Sequence, residues 1–145
     1  MINFPKEICD AVFDGSLAKG TIVKTMLKCE DGKEKPHYFV VVSKNAAADP
    51  KLLVVATSKT DFYDKYPYYN RDIIRINANE FPPFELNTVV DCRRLHNYSN
   101  NKLKEYFRDG DLHFAGNLPS DKLKQIDTIV KQSAFIPLKG KKQVL

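Results

Sequence analysis

The 145-residue chain has no apolar run approaching the ~18 consecutive residues that a membrane-spanning helix requires, so no membrane partner is expected. Its opening stretch, MINFPKEICDAVFDG, carries acids early and lacks a long apolar core. A secretory leader is therefore not expected, and a cytoplasmic protein is. Cysteine is scarce. Cys9, Cys29 and Cys92 are odd in number, form no CxxC pair and have no histidine at finger spacing, which argues against a disulfide framework or a structural zinc site. They read as free thiols, buried or half-buried. Also missing are a glycine-rich phosphate loop, an HExxH helix and a GxSxG elbow. His37, His96 and His113 stand far apart, so neither a metal centre nor a cofactor is expected. There is no internal repeat, low-complexity tract or interdomain linker.

What is present reads as one globular domain: 43% apolar and 28% charged residues, with a net charge of +5. The excess charge is not spread evenly. Residues 1–50 hold seven basic and seven acidic groups, residues 51–100 seven and six, and residues 101–145 nine and five. Lys139, Lys141 and Lys142 supply much of that last excess, so the body is nearly neutral and the basic end reads as a solubilising tail. The expected division is an N-terminal extension over 1–19, helical at Pro5 to Phe13, a body over 20–138, and a tail over 139–145.

Strand-like runs dominate from Gly20 onward. GTIVKTMLKC (Gly20 to Cys29) leads into Glu30, Asp31 and Gly32, a hairpin turn by composition. HYFVVVS (His37 to Ser43) and LLVVAT (Leu52 to Thr57) are nearly continuous apolar runs, as expected of strands buried on both faces or lining a small barrel. DIIRIN (Asp72 to Asn77) and LNTVVDC (Leu86 to Cys92) follow. The FPPF between them must leave the sheet because proline cannot donate to a ladder. Helical spacing then takes over at Asn101 to Arg108. It returns after Ser120, a candidate N-cap, where Leu123, Ile126 and Val130 recur on one face. The fold class is mainly β with C-terminal helices: a small closed β-barrel or a strongly bent sheet with a capping helix.

One constellation carries possible chemistry. Lys33 and Lys35 precede Pro36 and an apolar strand, while Thr57, Ser58, Lys59 and Thr60 close the strand expected beside it. Converging cations and hydroxyls suit phosphodiester cleavage, whose transition state gathers negative charge on phosphate oxygens. The same residue types also serve wet strand ends and turns. Phe62, Tyr63, Tyr66, Tyr68 and Tyr69 suit base stacking, with Lys59, Lys65 and Arg71 interleaved. Asp61, Asp64 and Asp72 nearly cancel those charges, and packing onto the body is the other reading. Arg93 and Arg94 beside Asp91 are either a contact for an anionic partner or a surface ion pair.

The run G-T-I-V at Gly20 to Val23, K-P-H-Y-F-V-V-V-S at Lys35 to Ser43 and L-L-V-V-A-T-S at Leu52 to Ser58 resembles the MazF/PemK (Kid) toxin family. LNTVVDCRRL (Leu86 to Leu95) and the stretch from Gly116 to Phe135 continue the likeness, which spans roughly residues 20–136. The resemblance implies an SH3-like barrel, a homodimer, and the toxin of a type II toxin–antitoxin pair. Such toxins cut single-stranded RNA without a metal and are silenced by an acidic antitoxin segment.

Carried over by position, the catalytic residues are Lys35 and Thr57, with His37 as a compensating acid or base, since an imidazole titrates near neutrality. Alternation along the strand equally allows His37 to point away. Lys35 departs from the family's arginine: a point charge replaces a bidentate fork that never loses its proton. Substrate contacts fall on Ser58, Lys59, Tyr66, Tyr68, Arg93 and Arg94. The competing expectation is a non-catalytic SH3-like barrel that binds nucleic acid or an acidic peptide through the same groove.

Overall fold

A computed structural model describes Phe13, residues 17–26 and residues 37–145. Lys33, Lys35, Cys9, Cys29, the Asp31–Gly32 turn and nearly all of the expected N-terminal helix lie outside the described residues. The strands are β1 Thr21–Thr25, β2 His37–Val41, β3 Lys51–Thr57, β4 Ile73–Ile76, β5 Thr88–Tyr98 and β6 Leu112–Asn117. The helices with described bounds are α1 Asp61–Lys65, α2 Asn100–Arg108, α3 Ser120–Gln132 and α4 Leu138–Val144, and a 3-10 turn runs over Pro67–Asp72.

All six strands join one sheet in the order β4-β5-β3-β2-β1-β6, every neighbouring pair antiparallel. The fold is thus mainly β, with α1 and α2 set between strands and α3 and α4 after β6. β4 and β6 are its edges, and among the described residues no ladder joins them, so the sheet is open where a closed barrel was one of the expected forms. β6 was not expected at all. Its LHFAGN has a histidine, a glycine and an asparagine among few apolar residues, and only Leu112 is buried, as befits an edge strand.

The apolar runs of β2 and β3 have a direct cause: both faces of the sheet are covered. On one face Val40, Leu52, Val54 and Val90 pack under Ile126 and Val130 of α3 and Val144 of α4. On the other, Val23, Phe39, Val41 and Leu53 pack with Phe13, Leu17 and Leu103 of α2. Alternate residues of one strand therefore enter two different cores, and no polar alternation survives.

The ends of the helices differ from expectation in instructive ways. Ser120 is the first residue of α3 rather than its cap; Pro119 holds the cap position and no side chain bonds there. Ser99 does cap α2, its hydroxyl accepting from the Lys102 N–H at 3.2 Å. The basic end is not a loose tail: it forms α4, and Val144 is fully buried. Lys19 ties the start of the sheet to this layer, its ammonium reaching Asp127 at 2.6 Å and the Val144 carbonyl at 2.7 Å. Gly20 beside it has φ +95°, a left-handed backbone that favours glycine over any residue with a Cβ.

Ile126 is fully buried where α3 meets the sheet. Ile126→Ala is expected to lower the unfolding free energy by ~2–5 kcal/mol, through lost burial plus the cavity left behind. Urea denaturation checks this; a change below ~1 kcal/mol would mean that α3 is not docked as described.

Candidate functional site

Register decides which side chains can meet. Thr25 pairs with His37, and Tyr38 pairs with Ala56. One further step along β2 and β3 sets His37 opposite Thr57, and since side chains alternate, both belong to the face that carries Phe39 and Val55. Thr57 in turn pairs with Val89. Thr57 and His37, both half-buried, thus lie side by side at one end of the sheet. The Thr57 hydroxyl oxygen accepts from the Lys59 backbone N–H at 3.1 Å, which leaves its hydrogen to donate elsewhere. The His37 ring meets Phe39 edge-on at 6.3 Å. Ser58 and Lys59 are exposed just beyond the strand. Ser58 borders a different recess, of about 370 Å³, with Lys24, Tyr38, Phe84 and Leu86.

The neighbouring row of the same face runs Ile73, Asp91, Val55, Phe39, Val23 and Phe114 across all six strands. Asp91 is the polar member of that row, only 7% exposed. Just after it the β3–β5 ladder slips: Val55 pairs with Asp91 but Leu53 pairs with His96, so two steps along β3 match five along β5. This bulge re-aims the intervening residues. Arg93 turns back onto Asp91, with Nη2 at 2.7 Å from Oδ2 and Nε at 3.0 Å from Oδ1. The Arg93 backbone N–H adds a bond to Oδ1 at 3.0 Å, and the Tyr63 hydroxyl donates to Oδ2 at 2.7 Å.

The electrostatics follow from this crowding. Burial alone would raise the Asp91 carboxyl, but the donors from Arg93 and Tyr63 outweigh it and hold the group below its ordinary 3.8. The Tyr63 phenol is pushed far above its ordinary value, first by burial and then by its bond to Asp91. The Cys92 thiol, a buried free cysteine behind the pair, is pushed up to about 12 by burial and by the charges of Asp91 and Asp72. It is inert as a nucleophile. His96, which meets Phe39 edge-on at 5.7 Å, is lowered by burial and by Arg94, with Asp91 opposing.

The tyrosine-rich stretch is not an open loop. Residues 61–65 form α1 and residues 67–72 a 3-10 turn, with acids in the first helical turn and Pro67 starting the second. Packing and exposure divide its rings. Tyr63 is buried against Ile73 and Val89, whereas Tyr66 and Tyr68 are exposed. Arg93 lies against two other rings of the stretch, 4.1 Å from the Tyr69 ring centre and 5.4 Å from that of Phe62. Arg93 is therefore a half-buried internal ion pair rather than an outward cation, and its fork is occupied by Asp91. Both Arg93 and the more exposed Arg94 border a cleft of about 400 Å³ between the bulge and α4.

The residues expected from sequence therefore fall into two groups. Thr57 and His37 share a face, with the Asp91–Arg93 pair and the aromatic rings flanking them; Arg94 borders the cleft, and Lys35 lies outside the described residues. The bond between Tyr63 and Asp91, 28 residues apart, and the part played by Phe135 in the cleft were not anticipated. No protein-family model matches the chain, and no curated protein matches it.

Two measurements probe this region. Asp91→Ala strands the Tyr63 hydroxyl and the Arg93 charge, and is expected to cost about 2–4 kcal/mol, against about 0.5–1.5 for Tyr63→Phe. Equal, small losses in urea melts would mean that Asp91 is not the shared partner. For His96 the folded value lies below 6.5, so the neutral ring is favoured by folding. Stability is then full above pH 6.5 and declines as pH falls through the lowered value. The urea midpoint should drop between pH 7 and pH 5, with a shallower drop in His96→Gln; parallel profiles would exclude His96 as a contributor.

Proposed function

We propose that the protein is a MazF/PemK-like toxin of a type II toxin–antitoxin pair, an endoribonuclease that cuts single-stranded RNA without a metal. The observation that carries this reading is the register that brings His37 opposite Thr57 on one face of the sheet. Lys35, two residues before His37 in the sequence, is the cation that the family resemblance assigns to the same site. The antiparallel order of the sheet supports a small β fold, the class to which this family's members belong.

In the proposed reaction the RNA 2′-oxygen forms a bond to phosphorus as the bond to the 5′-oxygen breaks. The products are a cyclic phosphate and a free 5′-hydroxyl. Lys35 neutralises the charge that builds on the phosphate oxygens. Thr57, its oxygen already accepting from Lys59, donates its hydrogen to one of them. His37 takes the proton from the 2′-hydroxyl, and water protonates the leaving 5′-oxygen. Lys59, Tyr66 and Tyr68 are the substrate contacts in this reading, whereas Ser58, which borders the separate recess of Tyr38 and Phe84, is not. Arg93, held by Asp91, supports the rings instead of gripping phosphate. In this reading the partners are RNA, a second copy of the chain and an acidic antitoxin segment, and the compartment is the cytoplasm.

Incubation with fluorescent mixed-sequence single-stranded RNA in EDTA tests the proposal. Cleavage should persist in the chelator and fall by about 10²-fold or more in Thr57→Ala and Lys35→Ala. Cleavage by Thr57→Ala at the parental rate would refute the site. RNA binding without turnover by the folded parent would instead identify a non-catalytic binding module.

A further inference from the structure

Four aromatic side chains stand exposed in one region: Tyr68 at 65%, Phe135 at 48%, Phe62 at 44% and Tyr66 at 43%. Tyr69 links them, stacked on Phe62 at 5.7 Å and 13°, and in contact with Tyr68 at 5.6 Å and Phe135 at 6.4 Å. Cations lie over these rings. Lys65 is 5.5 Å from the centre of Tyr66, and Arg71 is 4.8 Å from that of Tyr68. Because Arg93 is fixed by Asp91 and sits 4.1 Å from Tyr69, the platform is held from within.

At Phe135 this surface opens into the cleft of about 400 Å³ between the β5 bulge and α4. Leu52, Leu95 and Ile136 make its apolar floor, Arg94 and Lys139 stand on its lining, and among the described residues no carboxylate lines it. Flat exposed rings with cations on their faces suit bases that stack while phosphates pass alongside. The cationic lining of the cleft suits the phosphates at that end of an anionic strand.

The geometry points to an accessory RNA track, resting on the ribonuclease reading above. A single strand held at Thr57 continues over α1 and the 3-10 turn and seats a base beside Phe135, with its phosphates near Arg94 and Lys139. The track lengthens the footprint well beyond the scissile bond. It makes affinity depend on RNA length, separately from cleavage.

The test uses the Thr57→Ala protein and fluorescein-labelled single-stranded RNAs of four and sixteen nucleotides, read by anisotropy. The longer RNA should bind at least ten-fold more tightly. Tyr68→Ala and Phe135→Ala, added singly, should each weaken the longer RNA by about ten-fold and the shorter much less. Phe135→Leu should not restore affinity, because a stacked base needs the ring; restoration would assign Phe135 a packing role and overturn the track. Lys139→Gln should reduce the slope of log affinity against log salt by about 0.7. If the variants bind both RNAs as Thr57→Ala does, the track is wrong, while cleavage by the parent would keep the ribonuclease reading. If the parent neither cleaves nor binds RNA, both fail. Capture of an alternating Glu-Leu peptide in place of RNA would assign the surface to a protein partner and overturn the track.

Discussion

The ion pair between Asp91 and Arg93 organises one whole side of this protein. A carboxylate on a covered sheet face is tolerable only if its lone pairs are met, and here a guanidinium, a phenol and a backbone N–H meet them. Each partner is itself placed by the demand. The slip in the β3–β5 ladder turns Arg93 back, Tyr63 pulls α1 down onto the sheet, and the remaining aromatic rings settle around the guanidinium. Remove the carboxylate and the reason for the bulge, the helix position and the ring cluster goes with it.

The same arrangement separates two kinds of arginine that the sequence sets side by side. Arg93 is a structural cation whose fork is filled by Asp91, and Arg94, one residue later, is the more exposed of the two where both border the cleft. The half-buried strip of Val55, Thr57 and His37 lies between the aromatic cluster on one flank and the Phe39 core on the other. In the proposed ribonuclease this strip would hold the scissile phosphate on a rigid backbone, with mobile contacts confined to exposed side chains.

The strands that were legible in the sequence were those whose burial left an apolar run: HYFVV and LLVVAT could be located to within a residue or two because both faces are covered. β5 was legible only to Cys92. Arg93 and Arg94 look like the end of a strand, although pairing resumes at His96 and runs to Tyr98. β6 was invisible because an edge strand needs little apolar alternation. The neighbourhood of Thr57 and His37 followed from strand order once antiparallel pairing was assumed. The Tyr63–Asp91 bond could not be found that way, because nothing in local spacing links residues brought together by a helix folding over a bulge. The basic end misled for a related reason: its lysines are on the surface of α4, and a single buried Val144 anchors it.

The layer that covers the Val40, Leu52 and Val54 face consists of residues drawn mainly from α3 and α4, which follow every strand in the chain. During synthesis the sheet therefore emerges with that face bare, and its β1–β6 ladder closes only after some ninety intervening residues have been made. Until α3 and α4 arrive, a wide aliphatic surface is open to other chains, so protection from association during synthesis depends on segments made after the sheet.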